Sequence, residues 1–401
     1  MLRHLLKLIW KRKSRNLMLS LEILLAFVLV FAVAAFAVRY IQLQRLPTGF
    51  AYHDQWMAQI RTDKPIANDG AMYDQLRRSL LELPEVEQVA FAALPVYEMS
   101  RRIGDYMRPD GSGHLRIDVQ DASDHYGAVM AMPLAAGRWF SSIDDGSDDG
   151  STPTPVVLNR LAADKLFPGT SPLGQLYIDG GSDPHPTRYR VVGVVEHFRS
   201  HGEYMDPVPF MLPRFRPGVG DEPMSTIMLK LRPGTGRVFE SRLSARIKQL
   251  HPDWSLLITP LTEARASMLS LQLVPLKVLA VIAAFLLVMV AFGLFGVLWQ
   301  NTTQRIPEIG LRRALGAASG SIYRQIIAEQ LILSSGAIMV GVLLLIQLPL
   351  TGALGNSLNW TVFWGALALS AGVIFLLSLL CSLYPGWRAA QLSPTQALHY
   401  E

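Results

Sequence analysis

The stretch LMLSLEILLAFVLVFAVAAFAV, residues 17–38, carries a single charged side chain, Glu22. A bilayer core of about 30 Å is crossed by about 20 helical residues, so this stretch predicts a transmembrane helix. A cleaved signal peptide is the rival interpretation, because AFAV near Ala35 resembles a small-residue cleavage site. The apolar region of such peptides is usually only about 7–15 residues long, so we expect a retained membrane anchor.

Basic residues crowd the chain immediately before this helix. They are Arg3, Lys7, Lys11, Arg12, Lys13 and Arg15, with no acidic residue before Glu22. An apolar stretch follows them directly, which indicates contact with membrane lipids and argues against binding of nucleic acid. The leucines and Ile9 among them recur at helical spacing, so residues 1–16 predict an amphipathic elbow helix on the membrane surface. We expect Glu22 to reach headgroups or a neighbouring helix.

Three further apolar runs follow a long polar segment, and half of the chain is hydrophobic. They predict transmembrane helices over residues 276–298, 326–350 and 360–383. The last two are separated only by the uncharged loop 351–359. The fold class expected is therefore an α-helical membrane protein with four transmembrane helices and a large extracytoplasmic α+β domain, residues 39–270, between the first and second.

The charges between the spans predict the orientation of the chain. The loop 299–325 carries four arginines against one acidic residue, namely Arg305, Arg312, Arg313, Arg324 and Glu308. Basic loops stay on the cytoplasmic side. The N-terminus, the 299–325 loop and the tail 384–401 should then be cytoplasmic, and the domain 39–270 should be outside.

The segment 39–270 mixes two kinds of apolar pattern. AMYDQLRRSLLELP and ESRLSARIKQLHP have helical spacing, whereas PTPVVLN, RYRVVGVVEHF and STIMLKLRP predict strands bounded by proline and glycine. We expect an α+β domain, and this domain could consist of two lobes. The only cysteine, Cys381, lies in an apolar run, so this chain forms no internal disulfide and no cysteine zinc site.

Two clusters in this segment could hold metal ions. SSIDDGSDDGSTPTP contains Asp144, Asp145, Asp148 and Asp149, but their spacing misses the EF-hand pattern, so a solvated loop is favoured over calcium.

The second cluster is His197 and His201 with Glu196 and Glu203. Two histidines four apart share one face of a helix, but the strand pattern before them and Gly202 after them argue against a helical metal site. With no nucleophile elbow and no HExxH motif, nothing here indicates an enzyme, so we expect a non-catalytic subunit.

The most informative segment is QRIPEIGLRRALGAASGSIYRQIIAEQLIL, residues 304–333. Pro307 suits the first turn of a helix, and Glu308 complements its positive end. Gly316 is placed to end that helix, and Ser319 or Ser321 can cap the next one. A short, charged helix beside the membrane is suited to docking on a cytoplasmic partner. An ordinary interfacial loop helix is the alternative.

Several motifs, in order, resemble the MacB/FtsX-like permease family of ABC transporters. They are MPLAAGRWFS, LAADKLFPGTSPLGQ and VVGVVEHFR in the exported segment, EIGLRRALGA followed by YRQIIAEQLIL between the later spans, and YPGWRAAQLSPTQALHYE at the end. The resemblance runs over nearly the whole chain. One departure is that the first span lacks the glycine-rich stretch associated with many members.

The resemblance implies a coupling helix that touches an ATPase. Its residues would be Arg305, Pro307, Glu308, Ile309, Gly310, Leu311, Arg312, Arg313, Leu315 and Gly316. It also implies a bacterial inner-membrane location and a dimer of permeases, either homodimer or heterodimer, joined to ABC-type ATPase subunits. This sequence contains no GxxxxGK[ST], so ATP and Mg²⁺ should bind in the partner and no cofactor in this chain. A periplasmic adaptor is a further partner to consider.

The function expected is ATP-driven mechanotransmission to the extracytoplasmic domain, for export or extraction of a lipoprotein, peptide or drug. One alternative is a signal transducer with an ABC ATPase that regulates a cell-wall hydrolase or senses antibiotic peptides. Another is a receptor without an ATPase, which the docking helix and the three later spans disfavour.

Overall fold

The computed structural model describes residues 13–66, 68–144, 152–181, 186–217 and 223–391. The chain divides into two compact units. One consists of Leu43–Gln272, here called the domain. The other, here called the membrane unit, combines the chain up to Gln42 with Leu273–Glu401.

Four helices long and apolar enough to cross a bilayer lie in the described chain, which confirms the predicted fold class. They are α1 (Lys13–Gln44), α7 (Val274–Thr303), α9 (Ser319–Leu345) and α11 (Trp360–Gln391). Short helices α8 (Ile306–Ala314) and α10 (Gln347–Thr351) connect them. Helix α1 extends beyond the apolar run 17–38 at both ends. The predicted elbow, apart from its last four residues at the start of α1, and the tail from residue 392 lie outside the described residues.

Glycines on three helices allow close contact with the first span. A Cβ at Gly341 would collide with the ring of Phe27, and one at Gly365 would press on Val38. Gly293 of α7 likewise faces the carboxylate of Glu22. Small residues let transmembrane helices approach closely, since lipid offers no hydrophobic drive for their association. The neighbouring helices therefore supply the glycines that the first span lacks.

Polar and aromatic side chains complete the membrane unit. Ser334 Oγ of α9 and Ser378 Oγ of α11 share a buried hydrogen bond of 2.7 Å. Exposed aromatic rings lie near both ends of α11, with Trp364 at one end and Tyr384 at the other. Twenty helical residues between them span about 30 Å, the thickness of a bilayer core. Trp and Tyr are enriched at membrane interfaces, so these rings mark where the helix leaves the hydrocarbon.

The first lobe of the domain is a four-stranded antiparallel sheet with two helices. The elements are β1 (Gln55–Arg61), α2 (Gly70–Leu81), β2 (Val86–Ala92), β10 (Thr226–Leu231), α5 (Val238–Leu250) and β11 (Ser255–Pro260). The strands occur in the spatial order β11-β1-β10-β2. This is the βαββαβ arrangement of ferredoxin-like lobes. The helix and strand patterns read from the sequence here are confirmed.

The second lobe is inserted between β2 and β10, which confirms the two-lobe expectation. Its strands are β3 (Arg102–Met107), β4 (Leu115–Val119), β5 (Leu134–Gly137), β6 (Thr154–Asn159), β7 (Leu176–Asp179), β8 (Arg188–Val195) and β9 (Phe210–Pro213). They follow the order β5-β8-β6-β9-β4-β3-β7, and β7 also pairs with β8. The ladder therefore closes on itself, and closure removes unpaired strand edges. Buried side chains such as Ile117, Val156 and Met211 form the adjoining core.

Three helices accompany these sheets: α3 (Tyr126–Val129), α4 (Arg160–Leu166) and α6 (Leu261–Gln272). Asn159 caps α4, because its Oδ1 accepts from Ala162 N at 2.9 Å. Helix α6, which immediately precedes the second span, buries Leu261, Ala264 and Met268 in the core that also contains Met57 and Met228. The last helix of the domain is thus anchored by packing on the first lobe.

The acidic insert differs in part from expectation. Asp144, predicted to be in a solvated loop, is buried and paired with Arg138 through two hydrogen bonds of 2.7 and 2.5 Å. The guanidinium of Arg138 holds the pKa of Asp144 below its usual range. A nearby cation makes burial of the carboxylate acceptable, a pairing that loop composition does not reveal. Asp145, Asp148 and Asp149 lie outside the described residues.

Candidate functional site: the short helix between the second and third spans

Helix α8 is amphipathic. Ile306 and Ile309 are buried, and Ile309 packs with Ile322 and Ile326 at the start of α9. On the other side, Leu311 is 63% exposed and Leu315, just after the helix, is 80% exposed. The face of α8 formed by the isoleucines therefore packs within the chain. The opposite face exposes two leucines at helical spacing.

The ends of α8 follow the sequence prediction closely. Pro307 lies in the first turn with Glu308, where a missing N–H and a negative charge are both favourable. Gly316 has a positive φ of 91°, and Ala317 N donates to Arg312 O at 3.0 Å. Such a bond across a left-handed glycine ends a helix. The predicted serine cap of α9 is wrong. Ala318 occupies the N-cap position and makes no side-chain cap bond.

A chain of polar contacts ties α8 to the base of α9. Arg312 binds Glu308 at 2.5 Å and Gln325 at 3.1 Å. Gln325 in turn donates to Glu329 at 3.0 Å. Arg305, just before α8, pairs with Glu329 at 2.7 Å, and both of these side chains are largely buried. Opposite charges that are shielded from water interact more strongly than exposed ones, so α8 is held rigidly on α9.

The structure brings the predicted site residues into one short element but gives them different tasks. Ile309 and Gly310 face inward, Arg305 and Arg312 hold α8 to α9, and the outward surface is made by others. The outward residues are Pro307, Glu308, Leu311, Leu315 and Gly316. The side chain of Arg313 lies outside the described residues. The sequence analysis assigned no role to Gln325 or Glu329. Their four-residue spacing on a helix close to a basic loop was the available signal.

The histidine cluster has a different local structure from a metal site. His201 is buried and its Nε2 lies 3.2 Å from Ser100 O, while Glu203 pairs with Arg265. Glu196 pairs instead with Arg160 at 2.9 Å. Within the described ranges, no group of three or more His, Cys, Asp or Glu side chains is placed to hold a metal ion.

Four transmembrane helices, with an α+β domain between the first and second, define a polytopic membrane protein. Two family models match it. The MacB-like periplasmic core domain matches residues 24–238, more than half of the chain, and the FtsX-like permease C-terminal model matches residues 280–394. The chain therefore belongs to the MacB/FtsX-like permease family of ABC transporters, which confirms the resemblance drawn from the motifs.

Individual relatives agree with this family. The macrolide export ATP-binding/permease protein MacB of Azoarcus sp. (strain BH72) is 27% identical, over 81% of this chain and 47% of that protein. The pyoverdine export ATP-binding/permease protein PvdT of Pseudomonas putida is 27% identical, over 80% of this chain and 47% of that protein. The chain thus spans about half the length of these relatives. The uncharacterized ABC transporter permease YknZ of Bacillus subtilis (strain 168) is 24% identical, over 71% of this chain and 70% of that protein.

A comparison with solved structures gives weaker likenesses. The periplasmic region of MacB from Actinobacillus actinomycetemcomitans aligns with a TM-score of 0.38 at 15% identity, covering 57% of this chain and 97% of that one. A TM-score this low does not establish a shared fold, so the family is shown by the two family models. The four apolar helices and the match to a family of ABC transporter permeases make this a membrane protein, and the relatives reported above are bacterial.

Proposed function

We propose that this chain is the permease subunit of an ABC transporter that passes ATP-driven motion of a separate ATPase to its extracytoplasmic domain. The observation that carries this proposal is the construction of α8. It is locked onto α9 by the contacts of Arg305, Arg312, Gln325 and Glu329, and it presents Leu311 and Leu315 outward. A rigid helix with an exposed apolar ridge fits the groove of a partner protein.

The partner in this proposal is an ABC-type ATPase, which would bind ATP and Mg²⁺. Glu308 beside the leucine ridge adds a charged contact that can set the orientation of docking. A push on α8 would reach α9 directly, because the pair Arg305–Glu329 joins the two. In this proposal the 299–325 loop and both termini lie in the cytoplasm, and two permease chains, identical or related, share two ATPases.

The cargo in this proposal is engaged from the outer side of the membrane. Few charged residues lie within the spans, with Glu22 and Glu329 the acidic ones in the four described spanning helices α1, α7, α9 and α11, so an ion pathway through the bilayer centre is disfavoured. The relatives' names refer to export of a macrolide and of pyoverdine. A lipoprotein, a peptide or a drug-like amphiphile, moved by the domain and handed to an adaptor, is consistent with this arrangement.

The test is whether the leucine ridge binds the ATPase. We expect the double variant Leu311→Glu with Leu315→Glu to lower co-purification of the ATPase from native membranes roughly tenfold, because two charges would replace the buried centre of the contact. The matched control is Leu354→Glu, which changes an exposed leucine in the 351–359 loop and should leave co-purification unchanged.

A second variant separates docking from transmission. Glu329→Gln keeps α8 and its leucines but removes the charge that holds Arg305. We expect the ATPase to remain bound while cargo-stimulated ATP turnover falls.

Undiminished ATPase binding in a correctly inserted Leu311→Glu, Leu315→Glu chain would overturn the docking assignment. Binding of a cell-wall hydrolase, with no cargo-stimulated turnover, would indicate a signal transducer instead.

A further inference from the structure

The loop 197–205, which follows β8, contacts both ends of the domain. These ends are where the chain continues into its first two spans, because α1 finishes at Gln44 and α7 begins at Val274. The loop itself is largely buried, although loops normally run over the surface. A buried loop must satisfy its backbone polar groups internally, and here two of them, Arg199 N and His201 O, do so by binding the two chain ends.

Arg199 is the centre of this loop. Its side chain is among the largest fully buried ones, and its residue is only 2% exposed. Nη1 donates to Leu43 O at 3.1 Å and to Leu46 O at 2.8 Å, at the end of α1. Nε and Nη2 donate to Met205 O at 3.0 and 2.7 Å, and Nη2 also donates to Glu203 O. These five bonds equal the donor capacity of a guanidinium. A cation also suits the negative end of a helix.

The backbone after α1 is fitted to the same loop. Arg199 N donates to Thr48 O at 2.9 Å. Gly49 has a φ of 89°, and a Cβ there would collide with the carbonyl of His197. Phe50 then packs on Phe198, with ring centroids 5.7 Å apart. The entering chain is therefore held by main-chain and apolar contacts as well as by the arginine.

The far end of the loop holds α6, the helix before the second span. Glu203 pairs with Arg265 of α6, and the Glu203 side chain is only 9% exposed. Gln272 Nε2, in the last turn of α6, donates to His201 O at 3.3 Å. Arg265 also lies over the ring of Tyr52, 4.5 Å from its centroid, on the chain entering the domain. The two chain ends are thus bridged through one loop.

We propose that the loop 197–205 is a joint that fixes the end of the first span to the helix before the second, with Arg199 as its positioning residue. This inference rests on the proposed function where it concerns motion, because the joint would make both spans move the domain together. Lysine cannot replace arginine here. A single ammonium has three donors and lacks the planar fork that reaches carbonyls on both sides.

The first measurement is hydrogen–deuterium exchange of the full chain in lipid nanodiscs. We expect Arg199→Lys to speed exchange roughly tenfold in residues 43–50 and 261–272, while β2 and β10 stay protected. Glu203→Gln should speed exchange in 261–272 alone. The control is Arg160→Lys, which alters the exposed pair with Glu196 beside the loop and touches neither chain end.

The second measurement adds the ATPase. In the wild-type complex, ATP should change exchange in the domain, and Arg199→Lys should abolish that change while ATP turnover persists. The joint is overturned if Arg199→Lys leaves 43–50 unchanged, loosens both lobes evenly, or keeps the full response to ATP. A wild-type complex with no response to ATP would overturn the proposed function alone, since exchange in the permease by itself still decides whether the joint exists.

Discussion

The domain and the membrane unit place large apolar side chains in opposite ways. In the domain, residues such as Leu229 and Met228 are completely buried within packed cores. In the membrane unit, residues such as Phe285 and Phe292 of α7 face outward, the latter 73% exposed. Water drives the first arrangement, whereas lipid tails are as apolar as the side chains and drive neither burial nor exposure. The domain is therefore stabilised by burial of apolar side chains. The transmembrane helices are stabilised by the close fit of their surfaces and by a few polar contacts.

Truncation of a buried leucine in each unit should show this difference most strongly. Leu229→Ala in β10 removes apolar burial and leaves a cavity, so we expect a loss of about 3 kcal/mol in the free energy of unfolding of the domain. Leu294→Ala in α7, also almost fully buried, loses only packing, and we expect about 1 kcal/mol. Urea unfolding of the domain and steric trapping of the helices measure the two losses. Equal losses would contradict the comparison.

Glycine substitutions should give the next largest contrast. Gly49→Ala forces a Cβ against the His197 carbonyl at a positive φ, and backbone cannot easily move, so about 2 kcal/mol of domain stability should be lost. Gly293→Ala meets the end of the Glu22 side chain, which can rotate away, and should cost less than about 1 kcal/mol. Gly296→Ala, with no neighbour within 4 Å, is the control. A tolerated Gly49→Ala would refute the close approach.

Removing one polar contact from each unit should give a smaller difference in lost stability. Asp144→Asn removes the charge that binds Arg138 inside the domain, and we expect a loss of about 1.5 kcal/mol. Because the pKa of Asp144 is lowered in the folded state, this contribution is present above its ordinary pKa and disappears as pH falls through the folded value. Ser334→Ala, which breaks the bond to Ser378, should cost about 0.6 kcal/mol. Thermal unfolding of both variants at pH 7 and at pH 3 measures these losses. A loss for Asp144→Asn that does not depend on pH would contradict the role given to the Asp144 carboxylate.

The smallest effect is a pH response confined to the domain. Burial lowers the pKa of His201, with Arg101 adding to this, while the Ser100 carbonyl and Asp118 oppose it. The unfolded chain then takes up a proton at higher pH than the folded one, so stability should decline as pH falls below the ordinary value of about 6.5. His201→Gln should flatten part of this decline. Partial desolvation also lowers the pKa values of His125 and His251, so both add to the decline. An unchanged pH slope in His201→Gln would exclude this role.

Much of the candidate site was predictable because its signals are local. Pro307, Glu308 and Gly316 mark the ends of α8 through backbone requirements that each residue meets by itself. The hold of Glu329 on Arg305 was not predictable in the same way, since 24 positions separate the two and only the fold brings them together. Asp144 was mispredicted for a different reason, because composition suggested a solvated loop although Arg138, six positions earlier, makes its burial favourable.

By itself, the sequence determined the number of spans, the presence of an α+β domain after the first, and the ends of the short helix, because each depends on hydropathy or chemistry within a few consecutive residues. Only the tertiary structure decided that one lobe of the domain is inserted in the other, and that glycines on later helices face the first span. It also decided that Arg199 lies where both chain ends meet. These features depend on contacts between residues far apart in the chain, which no local pattern encodes.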